Sequence, residues 1–168
     1  ERVEIFKHKY KDFLKGNVVS CIRIVDLGCY GEHSFGEVTL VDYLKKGKLL
    51  LPDAKHAFVM TDDGEWLDEE IKQLPTHTTS GVSDWSIGSW PQGKEDRLDK
   101  RSNGNGTLGT INYWGSIYAA RTCSAMVGHF GSGVSWYLFH SMCYQHKEHT
   151  GRCPPAADVG ADHHPFEH

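Results

Sequence analysis

Residues 56–68 read His-Ala-Phe-Val-Met-Thr-Asp-Asp-Gly-Glu-Trp-Leu-Asp, and this stretch dominates the prediction of the fold. The apolar run at its start is typical of a short strand. The Asp63-Gly64 pair favours a tight turn, because glycine supplies the positive φ angle that a two-residue hairpin requires. Residues 65–68 then predict a return strand, so the whole stretch indicates an antiparallel hairpin.

Patterns on either side of the hairpin supply the other elements. We expect, in chain order, a helix at residues 2–15, a strand at 18–25, a helix at 38–46 closed by Gly47, a strand at 82–90, a loop at 91–110 and interrupted helical structure at 111–147. These assignments rest on apolar periodicity, β-branched content and glycine positions. Together they predict an α+β fold in which helices pack on a small antiparallel sheet.

Composition indicates one folded domain. The 168-residue chain is 39% hydrophobic and 24% charged, which is near the norm for globular proteins. We assign residues 1–153 to this single domain and residues 154–168 to an extended C-terminal tail. The net charge of −4 gives no electrostatic reason to expect binding to nucleic acid. No apolar run reaches the roughly 20 residues of a membrane-spanning helix.

A cysteine, a histidine and an aspartate form a candidate catalytic set. Thr122 is a suitable N-cap, so Cys123 would open a helix that continues through residues 124–127. A helix amino terminus and a neighbouring histidine both stabilise a thiolate, which is the nucleophilic form of cysteine. His56 at the start of the hairpin would act as the base. Asp68 at the end of the return strand would lie beside His56 and orient it.

The two segments that carry this set resemble a known family. Residues 56–68 resemble the histidine hairpin of NlpC-type and lecithin–retinol acyltransferase-like proteins. Residues 121–127 (Arg-Thr-Cys-Ser-Ala-Met-Val) resemble the cysteine helix of the permuted members, in which the cysteine follows the histidine. The chain departs from the acyltransferase members at Thr122, where they have Asn, and at Asp68, where they have His. The resemblance implies a permuted papain-like fold and a thiol hydrolase, that is, a cysteine peptidase or amidase.

On this interpretation residues 1–153 form a catalytic domain that requires no cofactor and no metal. The Cys123 thiolate would attack the carbonyl of a peptide, peptidoglycan or acyl substrate, and water would resolve the thioester. Acyl transfer to another acceptor is the variant of this chemistry. Because such proteins include secreted effectors and cell-wall amidases, we expect secretion, with a cytoplasmic location as the alternative. An inhibitor or immunity protein would fit as a partner.

The tryptophans indicate a second class of function. Alternation along residues 82–90 places Trp85 and Trp90 on opposite faces of a strand, so one of them is expected to face solvent or a cleft. Exposed tryptophans can bind sugars or peptides. Trp85 and Trp90 are therefore candidate substrate-binding residues of an enzyme, or ligand contacts of a non-catalytic carbohydrate- or peptide-binding module. Core packing is the alternative, and we expect it for Trp114 and Trp136.

The remaining cysteines allow further alternatives. The set Cys143, His146, His149 and Cys153 contains zinc-ligand residue types at short spacing, but a Cys143–Cys153 disulfide is favoured over a metal site. Cys29 is a second candidate nucleophile, with a Cys21–Cys29 disulfide as its structural alternative. The five cysteines are an odd number, so at least one is free or pairs with another chain.

Overall fold

Five parallel strands form one sheet in the computed structural model, which describes residues 21–26, 38–61, 64–74, 85–89, 117, 118, 121 and 123–160. The strands are β1 (Cys21–Asp26), β2 (His56–Thr61), β3 (Ser86–Ser89), β4 (Ala125–Gly128) and β5 (Ala156–Asp158). Between them lie α1 (Leu40–Leu50), α2 (Gly64–Gln73) and α3 (Gly133–Thr150).

The strand order in the sheet is β3-β2-β1-β4-β5. The central strand β1 pairs with β2 on one side and with β4 on the other, and all of these pairings are parallel. β3 adds to the outer edge of β2, and β5 adds to the outer edge of β4. The chain therefore winds first to one side of β1 and then to the other, which is a doubly wound α/β arrangement.

Each face of the sheet packs against helices. One core joins the strands to α1 and α2 and contains Ile22, Ile24, Ala57, Val59, Ala125, Val127, Leu40, Leu44 and Leu67. The core on the other face joins the strands to α3 and contains Cys21, Val25, Phe58, Met60, Met126, Leu138, Phe139 and Met142. Burial on both faces explains why β1 and β2 are apolar along most of their length instead of alternating.

Local hydrogen bonds define the start of α1. The Thr39 hydroxyl accepts the N–H of Asp42 at 3.3 Å, and the Asp42 carboxylate accepts the N–H of Thr39 at 3.0 Å. This reciprocal capping box satisfies two donors that the helix itself cannot pair. The Glu70 carboxylate of α2 also accepts the N–H of Leu40 at 2.6 Å, so the amino end of α1 is held against α2.

The predicted antiparallel sheet is wrong, because every described strand pair is parallel. The error begins at residues 64–68, which start α2 instead of a return strand. Trp66, Leu67, Ile71 and Leu74 recur at helical spacing and pack into the core beneath α1 and α2. A helical crossover of this kind brings the next strand back in the parallel direction. The α+β class and the papain-like fold are overturned with the hairpin.

The C-terminal part also differs from its prediction. Residues 125–128 form a strand, because a short apolar run fits a buried strand as well as a helix. Helix α3 follows and ends at Gly151, whose φ of 74° is the left-handed conformation that favours glycine. Ala156–Asp158, which the sequence assigns to an extended tail, pairs with β4 as an edge strand. The helix predicted at 2–15 and the loop predicted at 91–110 lie outside the described residues.

Candidate functional site

The direction in which the chain winds reverses beside β1. β2 and β3 lie on one side of this strand, and β4 and β5 lie on the other. In open parallel sheets, the loops that follow the two strands at such a point diverge and leave a crevice, and ligands bind there at the carboxyl ends of the strands. β1 and β4 end side by side, since Val25 pairs with Gly128. The topology therefore makes this end of the sheet the candidate ligand site.

A glycine-bearing segment follows β4 at this point. Residues 128–133, here called the β4–α3 loop, read Gly-His-Phe-Gly-Ser-Gly and lead directly into α3. The N–H of Ser132 donates to the His129 carbonyl at 3.1 Å, which closes a tight turn. The N–H of Phe130 donates to a carboxylate oxygen of Asp158, at the end of β5, at 3.2 Å. These bonds fix the loop against the neighbouring strand.

The amino terminus of α3 presents hydrogen-bond donors. The first N–H groups of a helix have no acceptor within the helix. In α3 the Ser132 hydroxyl accepts the N–H of Val134 at 3.3 Å, and the Ser132 carbonyl accepts that of Trp136 at 3.4 Å. Within the described part of the chain, the N–H groups of Gly133 and Ser135 have no hydrogen-bond acceptor. A Cβ added at Gly133 would meet no atom within 4 Å, so the space beside it is open.

Ser135 adds a buried hydroxyl at the same end of α3. The residue is 1% exposed, and its Oγ has no hydrogen-bond partner in the structure. Leaving a buried hydroxyl unpaired costs about 1–3 kcal/mol, so such a group marks a place where a water molecule or a ligand would bond. The Oγ lies 3.1 Å from the point that a Cβ on Gly128 would occupy. The glycine at the end of β4 therefore allows α3 to approach this closely.

His129 occupies a cradle between two glycines. Its Nδ1 accepts the N–H of Gly131 at 3.1 Å. A Cβ at Gly131 would lie 2.8 Å from the same Nδ1, and a Cβ at Gly160 would lie 3.3 Å from the ring Cδ2. Both positions must lack a side chain if the imidazole is to stay where it is. The ring is only half-buried, so it remains accessible from the β4–α3 loop.

The electrostatic character of this end favours an anion. The aligned peptide dipoles of a helix place partial positive charge at its amino terminus, and free N–H groups there bind phosphate, sulfate or carboxylate. Asp158 is an acidic side chain next to the loop, and its two oxygens already accept the N–H groups of Phe130 and Gly160. The donors of Gly133 and Ser135 therefore suit one small anionic group.

The predicted nucleophile lies at the opposite end of the sheet. Cys123 is 1% exposed and forms a disulfide with Cys21, with 4.6 Å between the two Cα atoms. It leads into β4 and does not open a helix, so it lacks the helix amino terminus that the prediction requires. A disulfide sulfur cannot act as a thiolate until it is reduced. The alternative Cys21–Cys29 disulfide is wrong, because Cys21 pairs with Cys123.

The predicted base and its orienting carboxylate are separated. His56 begins β2 as predicted, and its Cα pairs with that of Cys21, so His56, Cys21 and Cys123 meet at the amino end of the sheet. Asp68 is exposed on α2, which packs on the face opposite the disulfide. No hydrogen bond joins Asp68 to His56 in the described chain. The thiol hydrolase function stays a prediction, without an assembled triad to support it.

The exposed aromatic surface is not where the sequence places it. Trp85 is 8% exposed and packs in the core beneath α1 and α2, whereas Trp90 lies outside the described residues. Trp136, which we expect in a core, is 37% exposed on α3, where Tyr137 and Tyr144 are exposed as well. Trp85 is therefore not the solvent-facing tryptophan of the pair, and a role for Trp85 or Trp90 in substrate binding stays a prediction.

The candidate zinc ligands are used in other ways. Cys143 and Cys153 form the favoured disulfide, which joins α3 to the segment before β5. The ring Nε2 of His146 lies 2.9 Å from the Cys123 carbonyl oxygen at hydrogen-bond distance. Across the described ranges, no group of three or more His, Cys, Asp or Glu residues is arranged to hold a metal ion. None of the described helices combines the length and apolar character that crossing a bilayer would require.

Sequence reasoning missed the β4–α3 loop as a site. The sequence signal for this site is the set of three glycines at positions 128, 131 and 133, which lie between an apolar run and a long helical segment. A strand, a glycine-bearing turn and a helix in this order are typical of phosphate-binding loops. Interpreting residues 111–147 as one interrupted helix hides that order, because the strand before the loop goes unrecognised.

Comparison with known proteins assigns no family. No protein-family model, no curated protein and no solved structure matches this chain.

Proposed function

We propose that this domain binds a phosphate-bearing ligand at the carboxyl ends of β1 and β4, and that the ligand is a nucleotide. The observation that carries the proposal is the set of donors at the start of α3: the N–H groups of Gly133 and Ser135 and the buried, unpaired hydroxyl of Ser135. They lie where the strand order reverses, which is where open α/β sheets bind ligands.

Each donor has a distinct role in this proposal. A phosphate oxygen accepts hydrogen bonds from the backbone of Gly133 and Ser135, and the partial positive charge of the helix end stabilises the bound anion. The Ser135 hydroxyl donates a third bond, which removes the cost of leaving it unpaired. The absence of a side chain at Gly133 lets the phosphate approach the backbone.

A nucleotide is favoured over a simple anion because of the sheet around the site. The strand order matches the doubly wound sheets whose crevice binds nucleotides, with the phosphate at a helix amino terminus and the remainder across the strand ends. Fold alone does not determine function, so the preference for a nucleotide over a simple anion is tested by comparing ligands.

Two disulfides support the predicted location. Disulfides persist in oxidising compartments and are rare in the cytosol. Both described bonds join residues of the folded core or of α3, so they contribute to the native structure. We propose that the protein matures in an oxidising compartment, in agreement with the prediction of secretion.

Two substitutions test the binding site without weakening the fold. Gly133→Ala adds a methyl group in open space at the first position of α3, where alanine is preferred to glycine by about 0.5–1 kcal/mol. Ser135→Ala removes a buried hydroxyl that has no partner. We expect both variants to keep or gain thermal stability and to lose about tenfold in affinity for pyrophosphate and nucleoside diphosphates, because each changes one donor contact by about 1.4 kcal/mol. Titration calorimetry and melting curves measure the two effects.

Ser141→Ala, farther along α3, is the matched control and should bind as the wild type does. If neither pyrophosphate nor any nucleoside diphosphate binds the wild-type protein, the proposed function is wrong. If these ligands bind but Gly133→Ala and Ser135→Ala bind equally well, the ligand site lies elsewhere.

A further inference from the structure

We propose that His129 makes anion binding at the β4–α3 loop dependent on pH, so that the loop holds an anion more tightly when the imidazole is protonated. This inference rests on the proposed function, since it concerns the same site. His129 is thus a positioning residue of the loop when it is neutral and an additional source of positive charge when it is protonated.

The cradle around His129 gives the ring one orientation. Gly131 and Gly160 lie against the imidazole, and a Cβ at either position would come within 3.3 Å or less of a ring atom. A ring nitrogen that accepts a hydrogen bond carries no proton. Because Nδ1 accepts the N–H of Gly131, the neutral ring has its proton on Nε2. Neutral His129 therefore accepts the Gly131 N–H, and this hydrogen bond stabilises the turn conformation of the loop.

Protonation changes the donor count of the loop. An imidazolium has N–H groups at both nitrogens and no acceptor. The Gly131 N–H then loses its partner, and Nδ1 becomes a donor itself. Two donors and one positive charge are thereby added at His129 and Gly131, which lie three residues and one residue before Ser132, the N-cap of α3. An anion at the start of α3 is stabilised by all three changes.

Two ionisable side chains of the described part of the chain lie near His129, namely Asp158 and His140. From β5, Asp158 faces the loop, and its oxygens are already bonded to the N–H groups of Phe130 and Gly160. From α3, His140 stacks on Trp136, which in turn contacts Phe130. Asp158 therefore belongs to the bonding of the loop itself, and His140 is the second histidine that needs a control variant.

An asparagine at position 129 separates the two roles of the histidine. Asn places its Oδ1 close to the position of Nδ1 and commonly accepts the backbone N–H two residues on. His129→Asn therefore keeps the bond to Gly131 but cannot take up a proton. His129→Ala removes both the bond and the charge. His140→Asn removes a second histidine that the structure describes near the site and serves as the matched control.

Sulfate is the probe, because its charge is constant over the pH range in which histidine titrates. Its affinity is followed from the amide NMR signals of Gly133 and Ser135 at several values between about pH 5.5 and 8. We expect wild-type protein and His140→Asn to bind sulfate roughly tenfold more tightly at the acidic end, given one unit charge near the anion. His129→Asn should match wild type at the alkaline end and show no pH dependence. His129→Ala should show none either and should bind more weakly throughout.

A pH dependence that persists in His129→Asn, or disappears in His140→Asn, would overturn the inference. So would wild-type affinity that stays constant or falls on acidification. If the wild type binds neither sulfate nor pyrophosphate at any pH, the proposed function fails and this inference fails with it. Binding without the His129-dependent slope contradicts the inference alone.

Discussion

The two ends of the sheet differ in how completely they are packed and bonded. At the amino end, the Cys21–Cys123 disulfide is buried, and the N–H of Ser124 donates to the Cys21 carbonyl at 2.8 Å. At the carboxyl end, the space beside Gly133 is open, and the Ser135 hydroxyl is buried without a partner. The amino end therefore has the features of a stabilising region, and the carboxyl end has those of a binding region.

The difference has a physical basis. Unpaired donors and glycines in a loop lower the free energy of unfolding, because they leave bonds unmade and increase the entropy of the unfolded chain. A cross-link at the other end of the same strands raises the free energy of unfolding by restricting the unfolded chain. β1 and β4 run from one end to the other, so the covalent link at their amino ends stabilises the strands that carry the loop.

Removing the Cys21–Cys123 disulfide should have the largest effect on stability. The bond joins residues 102 apart in sequence, and a cross-link that closes a loop of roughly 100 residues contributes about 4.7 kcal/mol by the chain-entropy relation. We expect the Cys21→Ala/Cys123→Ala protein to lose up to about that amount in denaturant unfolding. Its affinity for pyrophosphate should be unchanged under conditions in which it remains folded.

The matched control is Cys143→Ala/Cys153→Ala, because that bond spans only 10 residues. We expect it to cost less, about 3 kcal/mol or below. A larger loss from the short-range pair would contradict the assignment of the amino end as the stabilising region. Rapid iodoacetamide labelling of Cys123 in unreduced protein would show a free thiol and would return the thiol hydrolase prediction to consideration.

Much of the local structure can be predicted from the sequence, but the way it assembles cannot. The strands at residues 18–25, 56–61 and 82–90 are predicted near their observed positions, because β-branched and apolar runs decide them locally. The direction of the sheet depends on residues 64–73, where an Asp-Gly turn signal competes with a helical apolar pattern. Packing of Leu67 and Leu74 against the sheet decides in favour of the helix.

Sites that depend on tertiary contacts are harder to predict. His56 is correctly placed at the start of a strand, but its neighbour is Cys21 through strand pairing, which local sequence does not reveal. The disulfide partner of Cys123 lies 102 residues away for the same reason. The β4–α3 loop is recognisable only once residues 125–128 are known to be a strand, because glycines within a helix and glycines after a strand have different meanings.

Gly128→Ala should have the next largest effect, and it tests how closely α3 must approach β4. The new Cβ would lie 3.1 Å from Ser135 Oγ, which is tight, and 3.4 Å from Val25 Cβ, which is at the limit of ordinary contact. We expect a loss of about 1–3 kcal/mol in the free energy of unfolding and weaker pyrophosphate binding, because the first turn of α3 must shift.

The control for this change is the double variant Gly128→Ala/Ser135→Ala, which removes the closest contact. It should recover stability relative to Gly128→Ala alone, and a double-mutant cycle measures the coupling. If Gly128→Ala has the same free energy of unfolding as Gly133→Ala, then the two positions tolerate a side chain equally well. The distinction between the packed strand end and the open start of the helix would then be lost.

The smallest effect is expected from the Glu69–Lys72 ion pair on α2, which is exposed on the face of the sheet opposite the Cys21–Cys123 disulfide. The hydrogen bond and charge of Glu69 raise the pKa of Lys72 above its ordinary value of 10.5. A raised pKa in the folded state adds stability below about pH 10.5, and this stability is lost as the pH rises through the folded-state pKa.

Because both side chains are exposed, Glu69→Gln should leave the melting temperature unchanged within error at neutral pH. Any small difference from wild type should narrow above about pH 10.5, and melting curves across that range measure it. A loss as large as that of Gly128→Ala would mean that the outer surface of α2 stabilises the fold as much as the packed strand ends do.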